Sequence, residues 1–292
     1  MRVATMTSLF REQRGKEEYI NYIEAIKRCK AAGFHVLDFN MCAMLQNKTE
    51  LNGDDWRQKA DKIREEAEKL GIEFAQSHPP YRRGLQGTFQ TGEEENFFVE
   101  ITRRSIIVSS MLGVKWAVMH PVTECEQSEY NLEPNLKHNH RIFDEAVEFA
   151  MKENVGIAFE NMADSENRRR FGATASELIA LADSYKDSKV GVCWDTGHGN
   201  RIYSDPVLPL KELGKRVKAL HINDNHGKTD EHLLPFEGNL PWEKIMKVLK
   251  EIGYEGDLVY EIRLNNYMPD PLKDLSAQYA AKVGHYLLSL CE

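Results

Sequence analysis

Between Ala219 and His232 the chain reads ALHINDNHGKTDEH, a stretch whose residue types could bind a divalent metal ion. An apolar run of Val217, Ala219, Leu220 and Ile222 suits a buried strand, and His221 sits where it gives way to the polar cluster Asn223, Asp224 and Asn225. An imidazole is thereby delivered to a strand end. Asp230 and His232 follow as an i, i+2 pair, which in extended conformation projects both side chains to one side. His221, Asp230 and His232 make three potential ligands within twelve residues.

Whether other ligands reach the same place depends on the elements that carry them. Short β-rich runs alternate with amphipathic helical segments along the chain. Strands are expected near Arg2–Leu9, His35–Asn40, Glu73–Pro79, Lys115–Pro121, Val155–Met162, Val190–His198, Val217–Asp224 and Asp257–Arg263. Helices are expected at Lys16–Ala32, Asp54–Leu70, Glu93–Leu112, Asn135–Glu153, Ala173–Ser184, Asp205–Gly214, Pro241–Ile252 and Pro271–Leu290. Gly33, Gly71, Gly113 and Gly253 each follow a helical run and precede a strand, as helix C-caps do. The 292 residues would allow two domains, yet they also match a single (β/α)8 barrel, which takes about 250. Strict alternation of strand and helix implies parallel βαβ units, and eight of them closing on themselves make an α/β TIM barrel spanning residues 1–292 as a single domain. An open doubly wound sheet fits less well, because no Gly-rich phosphate loop follows the first strand.

In such a barrel the chemistry sits at the C-terminal ends of the strands. The third strand ends in Ser77-His78-Pro79-Pro80-Tyr81, the fourth in Met119-His120-Pro121 and the fifth in Phe159-Glu160-Asn161. The sixth ends in Trp194-Asp195-Thr196-Gly197-His198, the seventh in His221 and the eighth in Tyr260-Glu261-Ile262-Arg263. Any one of these is ordinarily a hydrogen-bonded structural histidine or a solvated rim charge. With Asp230 and His232 they place four carboxylates and five imidazoles over one barrel mouth, at a severe cost in repulsion and desolvation unless a positive ion sits among them. Mixed histidine and carboxylate ligands suit Zn²⁺, Mn²⁺ or Co²⁺ better than Ca²⁺.

This run of strand ends resembles the xylose-isomerase-like TIM-barrel superfamily, which contains sugar and sugar-phosphate isomerases and epimerases as well as endonuclease IV. The resemblance covers nearly the whole chain. It implies that Glu160, Asp195, His221 and Glu261 hold the metal. In the ketose 3-epimerase branch it further implies that Glu160 and Glu261 act as acid and base on opposite faces of the substrate, through an enediolate, with His198 bonded to the substrate or serving as a further ligand. Asp230 and His232 are further ligand positions, and His78, Tyr81, His120 and Arg263 then face the substrate. In the endonuclease IV branch the ligands of a trinuclear zinc site map onto His78, His120, Glu160, Asp195, His198, His221, Asp230, His232 and Glu261, which predicts a zinc-dependent phosphodiesterase or apurinic-site endonuclease. A sugar-binding barrel without catalysis is a third class.

Composition favours the carbohydrate reading. The net charge of −8 counts against nucleic acid, whose binding rests on neutralised phosphates, and the loops SLFREQRGK and NMCAMLQNK carry only modest positive charge. Asn161, Asn200, Trp194, Trp242 and Tyr81 are of the kinds that line sugar pockets, although both tryptophans also read as core or helix-start residues. Arg168-Arg169-Arg170 could hold an anion but reads better as a loop balanced by Glu153, Asp164 and Glu166; Arg263, two residues past Glu261 on a strand, is the better anion-binding candidate. Cys29, Cys42, Cys125, Cys193 and Cys291 lack any C-x-x-C spacing and read as free thiols. No apolar run could span a membrane, and the start MRVATMTSLFREQRGKEE lacks a signal-peptide core, so a cytoplasmic protein is expected. The sequence leaves the oligomeric state open; a homo-oligomer is suggested only by analogy with related isomerases, which often pair through helices and βα loops.

Overall fold

The structure, a computed structural model, describes residues 1–14, 17–47, 49–82, 87–89, 91–124, 130–164, 168–265 and 267–291. Eight parallel strands form the barrel: β1 (Val3–Met6), β2 (Val36–Asn40), β3 (Glu73–His78), β4 (Trp116–Met119), β5 (Gly156–Glu160), β6 (Val190–Asp195), β7 (Val217–His221) and β8 (Leu258–Tyr260). From β1 to β7 each pairs with its sequence neighbour, and β8 pairs with β1. Just past β7 the ring closes: the Ile222 N–H donates to the Val259 carbonyl at 2.7 Å and the Glu261 N–H donates to the Ile222 carbonyl at 3.0 Å.

The surrounding helices are α1 (Tyr22–Ala32), α2 (Trp56–Leu70), α3 (Gly92–Met111), α4 (Leu132–Lys152), α5 (Ala175–Ser184), α6 (Thr196–Ile202), α7 (Val207–Leu213), α8 (Trp242–Glu251) and α9 (Asp270–Ser289). Gly33, Gly71, Gly113 and Gly253 all take positive φ at or just past helix ends, as their spacing predicts. Thr91 and Glu94 close a capping box on α3, which starts that helix on the far side of the β3 loop.

Strands β1 and β8 end short of expectation, at Met6 and Tyr260, and three further boundaries differ for a local reason. The first helix starts at Tyr22, where the Asn21 side chain accepts from the Glu24 N–H at 3.1 Å; the preceding Glu12–Arg14 and Glu17–Tyr19 pair as an antiparallel hairpin. Lys16, the expected helix start, lies outside the described residues, as do Lys48, Cys125 and Glu166. Helix α4 begins at Leu132, before Asn135, because Asn131 caps it. Strand β6 stops at Asp195, whose carboxylate accepts from the His198 N–H and so starts α6; His198 sits in a helical first turn and not on a strand. Cys29, Cys42, Cys193 and Cys291 are free. No helix among the described residues is long and apolar enough to cross a membrane.

The loop from Asn223 to Pro241 is organised by Asp224, which is fully buried. Its two carboxylate oxygens accept from the N–H groups of Asn225, Phe236 and Leu240 and from the Trp242 indole at 2.8–3.2 Å. A Cβ at Gly238 would lie 2.2 Å from Asp224 Oδ1, so only glycine lets the chain close over the carboxylate. Trp242 is therefore a core anchor and not a pocket wall, and Trp194, 1% exposed and packed over Gly199, is another. Removing the carboxylate strands three buried donors and one half-buried one. Asp224→Ala should lower unfolding free energy by roughly 3 kcal/mol in urea titration; a loss under about 1 kcal/mol would mean that the loop closes without it.

Candidate metal centre

Strand alternation explains why the ionisable groups meet. Inside the barrel Val36, Val118, Ala158, Cys193, Ala219 and Val259 form two apolar clusters that floor the interior. Two residues further along each strand, on the same face, stand Asp38, His120, Glu160, Asp195, His221 and Glu261. His78 ends β3 in the same layer, two residues beyond Gln76.

One carboxylate oxygen of Glu160, Asp195 and Glu261 and one nitrogen of His221 lie within 4.8 Å of one another. His221 Nδ1 is 3.0 Å from Glu160 Oε1 and 3.4 Å from Glu261 Oε2. Those two oxygens and both ring nitrogens are buried without a hydrogen-bond partner. Such orphaned groups are expensive in protein alone, and their convergence is the arrangement that a divalent cation satisfies. The residues present fit the ion.

The electrostatics agree. Burial alone would raise the Glu160 carboxyl, yet His221 and His120 hold it well below the usual carboxylate range. His120 Nε2 lies 2.7 Å from Glu160 Oε2. Burial, with a further contribution from Glu160, pushes the Glu261 carboxyl up to about 8 against the pull of His221. One buried carboxylate is compensated by imidazoles, whereas the second is not. His78 Nε2 approaches His120 Nε2 at 3.2 Å, and burial together with His120 and His221 lowers its pKa well below the usual imidazole value.

A second layer holds these groups in place. The Asn223 amide donates to Asp195 Oδ2 at 2.6 Å while the His198 N–H donates to Oδ1, also at 2.6 Å. Between them Gly197 passes so close that a Cβ would stand 1.9 Å from Asn223 Oδ1. Asp38, wholly buried, puts Oδ2 3.6 Å from His221 Nε2 and accepts from the Gln76 amide at 2.8 Å. A proton held at Nε2 towards Asp38 leaves the Nδ1 lone pair facing Glu160 and Glu261. Asp38, Gln76 and Asn223 were not among the site residues expected from sequence. The only sequence signal was a carboxylate inside the apolar run of β2.

His198, Asp230 and His232 form an adjoining chain. His198 Nδ1–H donates to the Asn161 carbonyl and His232 Nδ1–H to the Glu261 carbonyl, at 2.8 and 2.7 Å. Their Nε2 atoms face Asp230 at 3.7 and 3.0 Å. Burial would lower the His198 pKa, but Asp195 and Asp230 push it up to about 10. Asp230 and His232 do not meet through strand alternation: His232 takes a left-handed φ of 52°, which turns its ring back onto Asp230. Among the described residues, none of these three belongs to a group converging on one point; His78, His120 and Glu160 form one such group, and His78, His221 and Glu261 another.

Tyr81 stacks obliquely near His120, with ring centroids 5.2 Å apart. Asn161 and Asn200 serve the backbone and neighbouring amides of Asp195, Asn225 and Asn239. Arg169 pairs with Asp164 and Glu177. A cavity of about 290 Å³ beside the cluster includes Tyr81, His232, Glu261 and Arg263 in its wall. The larger space of about 790 Å³ lies at the opposite end of the barrel, among Arg2, Glu73 and Asp257, and holds none of the clustered carboxylates and imidazoles.

A family model described as a xylose isomerase-like TIM barrel matches residues 26–282. An uncharacterized protein of Sinorhizobium fredii is 32% identical over 178 residues, 58% of this chain and 54% of that one, so the chain spans about half the length of this curated relative. Fructoselysine 3-epimerase of Escherichia coli O157:H7 is 34% identical over 71 residues, 24% of this chain and 26% of that one. The crystal structure of D-psicose 3-epimerase with D-tagatose from Clostridium cellulolyticum H10 superposes with a TM-score of 0.75 at 18% identity, covering 99% of both chains, and shares the fold.

Two measurements check the centre. A divalent cation at about a hundred times its dissociation constant should add about 2.7 kcal/mol of stability, which is roughly 5 °C or more in Tm; Asp195→Ala should abolish that shift. Asp38→Ala should weaken Mn²⁺ binding about 10- to 100-fold in calorimetric titration. Undiminished affinity would remove Asp38 from the support of His221.

Proposed function

The chain belongs to the xylose isomerase-like TIM-barrel family, and from that premise we propose that it is a metal-dependent epimerase or isomerase of a small sugar or sugar phosphate. The observation that carries the reading is the pair of buried carboxylate oxygens, Glu160 Oε1 and Glu261 Oε2, converging on His221 Nδ1 without hydrogen-bond partners. The likeness to fructoselysine 3-epimerase supports the same class.

Glu160, Asp195, His221 and Glu261 would hold a divalent ion, with Zn²⁺, Mn²⁺ or Co²⁺ suited to these donors. Such an ion supplies Lewis acidity to a carbonyl and its neighbouring hydroxyl, acidifying the C–H between them. The two glutamates reach the substrate from different strands, β5 and β8. One removes the proton at the carbon next to the carbonyl, and the other returns a proton to the opposite face, inverting that centre. Glu160 is held ionised by His120 and His221, which suits a base. Glu261, with its raised affinity for a proton, suits the partner that gives one up.

A second reading has one specific observation in its favour. His198 and His232 each commit Nδ1–H to a backbone carbonyl and turn Nε2 towards Asp230, the orientation in which histidine ligands are held. Together with His78 and His120 they would complete a trinuclear zinc site for phosphodiester cleavage at an abasic position.

Incubation with a panel of ketoses in D₂O separates the two. The epimerase reading expects deuterium at the carbon next to the carbonyl and a new epimer by NMR. Glu160→Gln and Glu261→Gln should each lower exchange about 100-fold or more while the fold, read by circular dichroism, persists. Full exchange in either variant would sink the acid and base pair. Cleavage of an abasic duplex, with zinc near three equivalents per chain and no exchange, would favour the second reading.

A further inference from the structure

The cavity of about 290 Å³ at the barrel mouth has a polarity along its length. At its inner end is Glu261, 3.4 Å from His221 and part of the reacting cluster. The chain continues extended past β8, since the Glu261 N–H donates to the Ile222 carbonyl and the Arg263 N–H to the His232 carbonyl, each at 3.0 Å. Glu261, Ile262 and Arg263 all line the cavity, and in extended backbone Glu261 and Arg263 stand about 7 Å apart along the chain. The wall also holds Arg11, a second cation that already has a partner, and Ser8, Asn40 and Gln46, which offer hydroxyl and amide groups.

The Arg263 guanidinium is exposed and makes no hydrogen bond or ion pair with any described residue. It stands at the outer end of a cavity whose inner end is crowded with carboxylates, on a chain of net charge −8. A neutral sugar would leave this fork-shaped cation unused, whereas a phosphate or carboxylate matches its paired N–H donors. The spacing from Glu261 is comparable with that from the reacting carbon of an open-chain hexose to a group on its last carbon. The other basic run does not supply the contact: Arg169 is already paired with Asp164 and Glu177, and neither Arg168 nor Arg170 is part of this cavity wall.

We infer that the substrate carries an anionic group, a phosphate or a carboxylate, at the end of its carbon chain remote from the reacting carbon, and that Arg263 receives it. The inference rests on the sugar-epimerase reading above and narrows its substrate class.

Calorimetric titration of the Mn²⁺-supplemented protein with glucitol, glucitol 6-phosphate and gluconate tests it without requiring turnover. One of the two anionic polyols should bind roughly 10- to 100-fold more tightly than glucitol, and the one that does so identifies the anion. In Arg263→Met the ratio should collapse towards one, and Arg263→Lys should restore part of it. Equal binding of all three, no measurable binding of any, or a preference that survives in Arg263→Met would overturn the inference, the last by assigning the anion to Arg11 or to the added Mn²⁺. The readouts fail separately. Anion preference through Arg263 with no proton exchange from any ketose overturns the epimerase reading alone, and exchange without anion preference overturns only the role of Arg263.

Discussion

Negative charge without local compensation is the constraint around which this barrel is built. Glu160, Asp195 and Glu261 bring three carboxylates to one point beneath the rim, with Glu160 and Asp195 at 1% and 0% exposure. Imidazoles answer part of that charge: His221 and His120 suffice to keep Glu160 ionised. They do not suffice for Glu261, which takes up a proton far more readily than an ordinary glutamate. A buried cluster of this composition is a poor device for stability, because removing carboxylates from water costs more than imperfect pairing returns. It is a good device for holding a cation and for moving a proton beside it.

The support around the cluster has one logic. Around the cluster polar atoms are claimed from behind: those of Asp195 by Asn223 and the first turn of α6, that of Asp38 beside His221 by Gln76, and those of His198 and His232 by backbone carbonyls. What remains unclaimed points inward. The loop that brings Asp230 and His232 over the mouth is in turn fixed by Asp224, itself outside the cluster, through four donors drawn from residues 225 to 242.

Much of this was legible in the sequence because a strand has a side-chain period of two. Val118-x-His120, Ala158-x-Glu160, Cys193-x-Asp195, Ala219-x-His221 and Val259-x-Glu261 each set a polar residue one step above a small apolar one, and the eight-fold alternation of strand and helix told which end of the strands to inspect. The rest depends on packing at a distance. Asp38 looks like any acid in an apolar run until β2 is paired beside β3 and its carboxylate meets Gln76. Trp194 and Trp242 suit a sugar pocket by type, but a helix start and a buried carboxylate draw them into the core. His198 follows Asp195 closely enough to read as strand, whereas the capping bond of Asp195 had already begun a helix. The turn at His232 needs a backbone conformation that its residue type does not announce.

The two-storey arrangement of the strand interior has a consequence for how such a protein can change. The apolar floor is packed by one set of residues and the reactive layer by the next set up, so side chains can be exchanged in the upper storey with little disturbance below. Substitution is therefore cheap and insertion is ruinous. A single extra residue in β7 would turn His221 outward among the helices and bring an apolar neighbour in beside Glu160, and no compensating substitution at one position restores both. Chemistry on this plan can thus vary by replacing letters, while a change in strand length breaks the register.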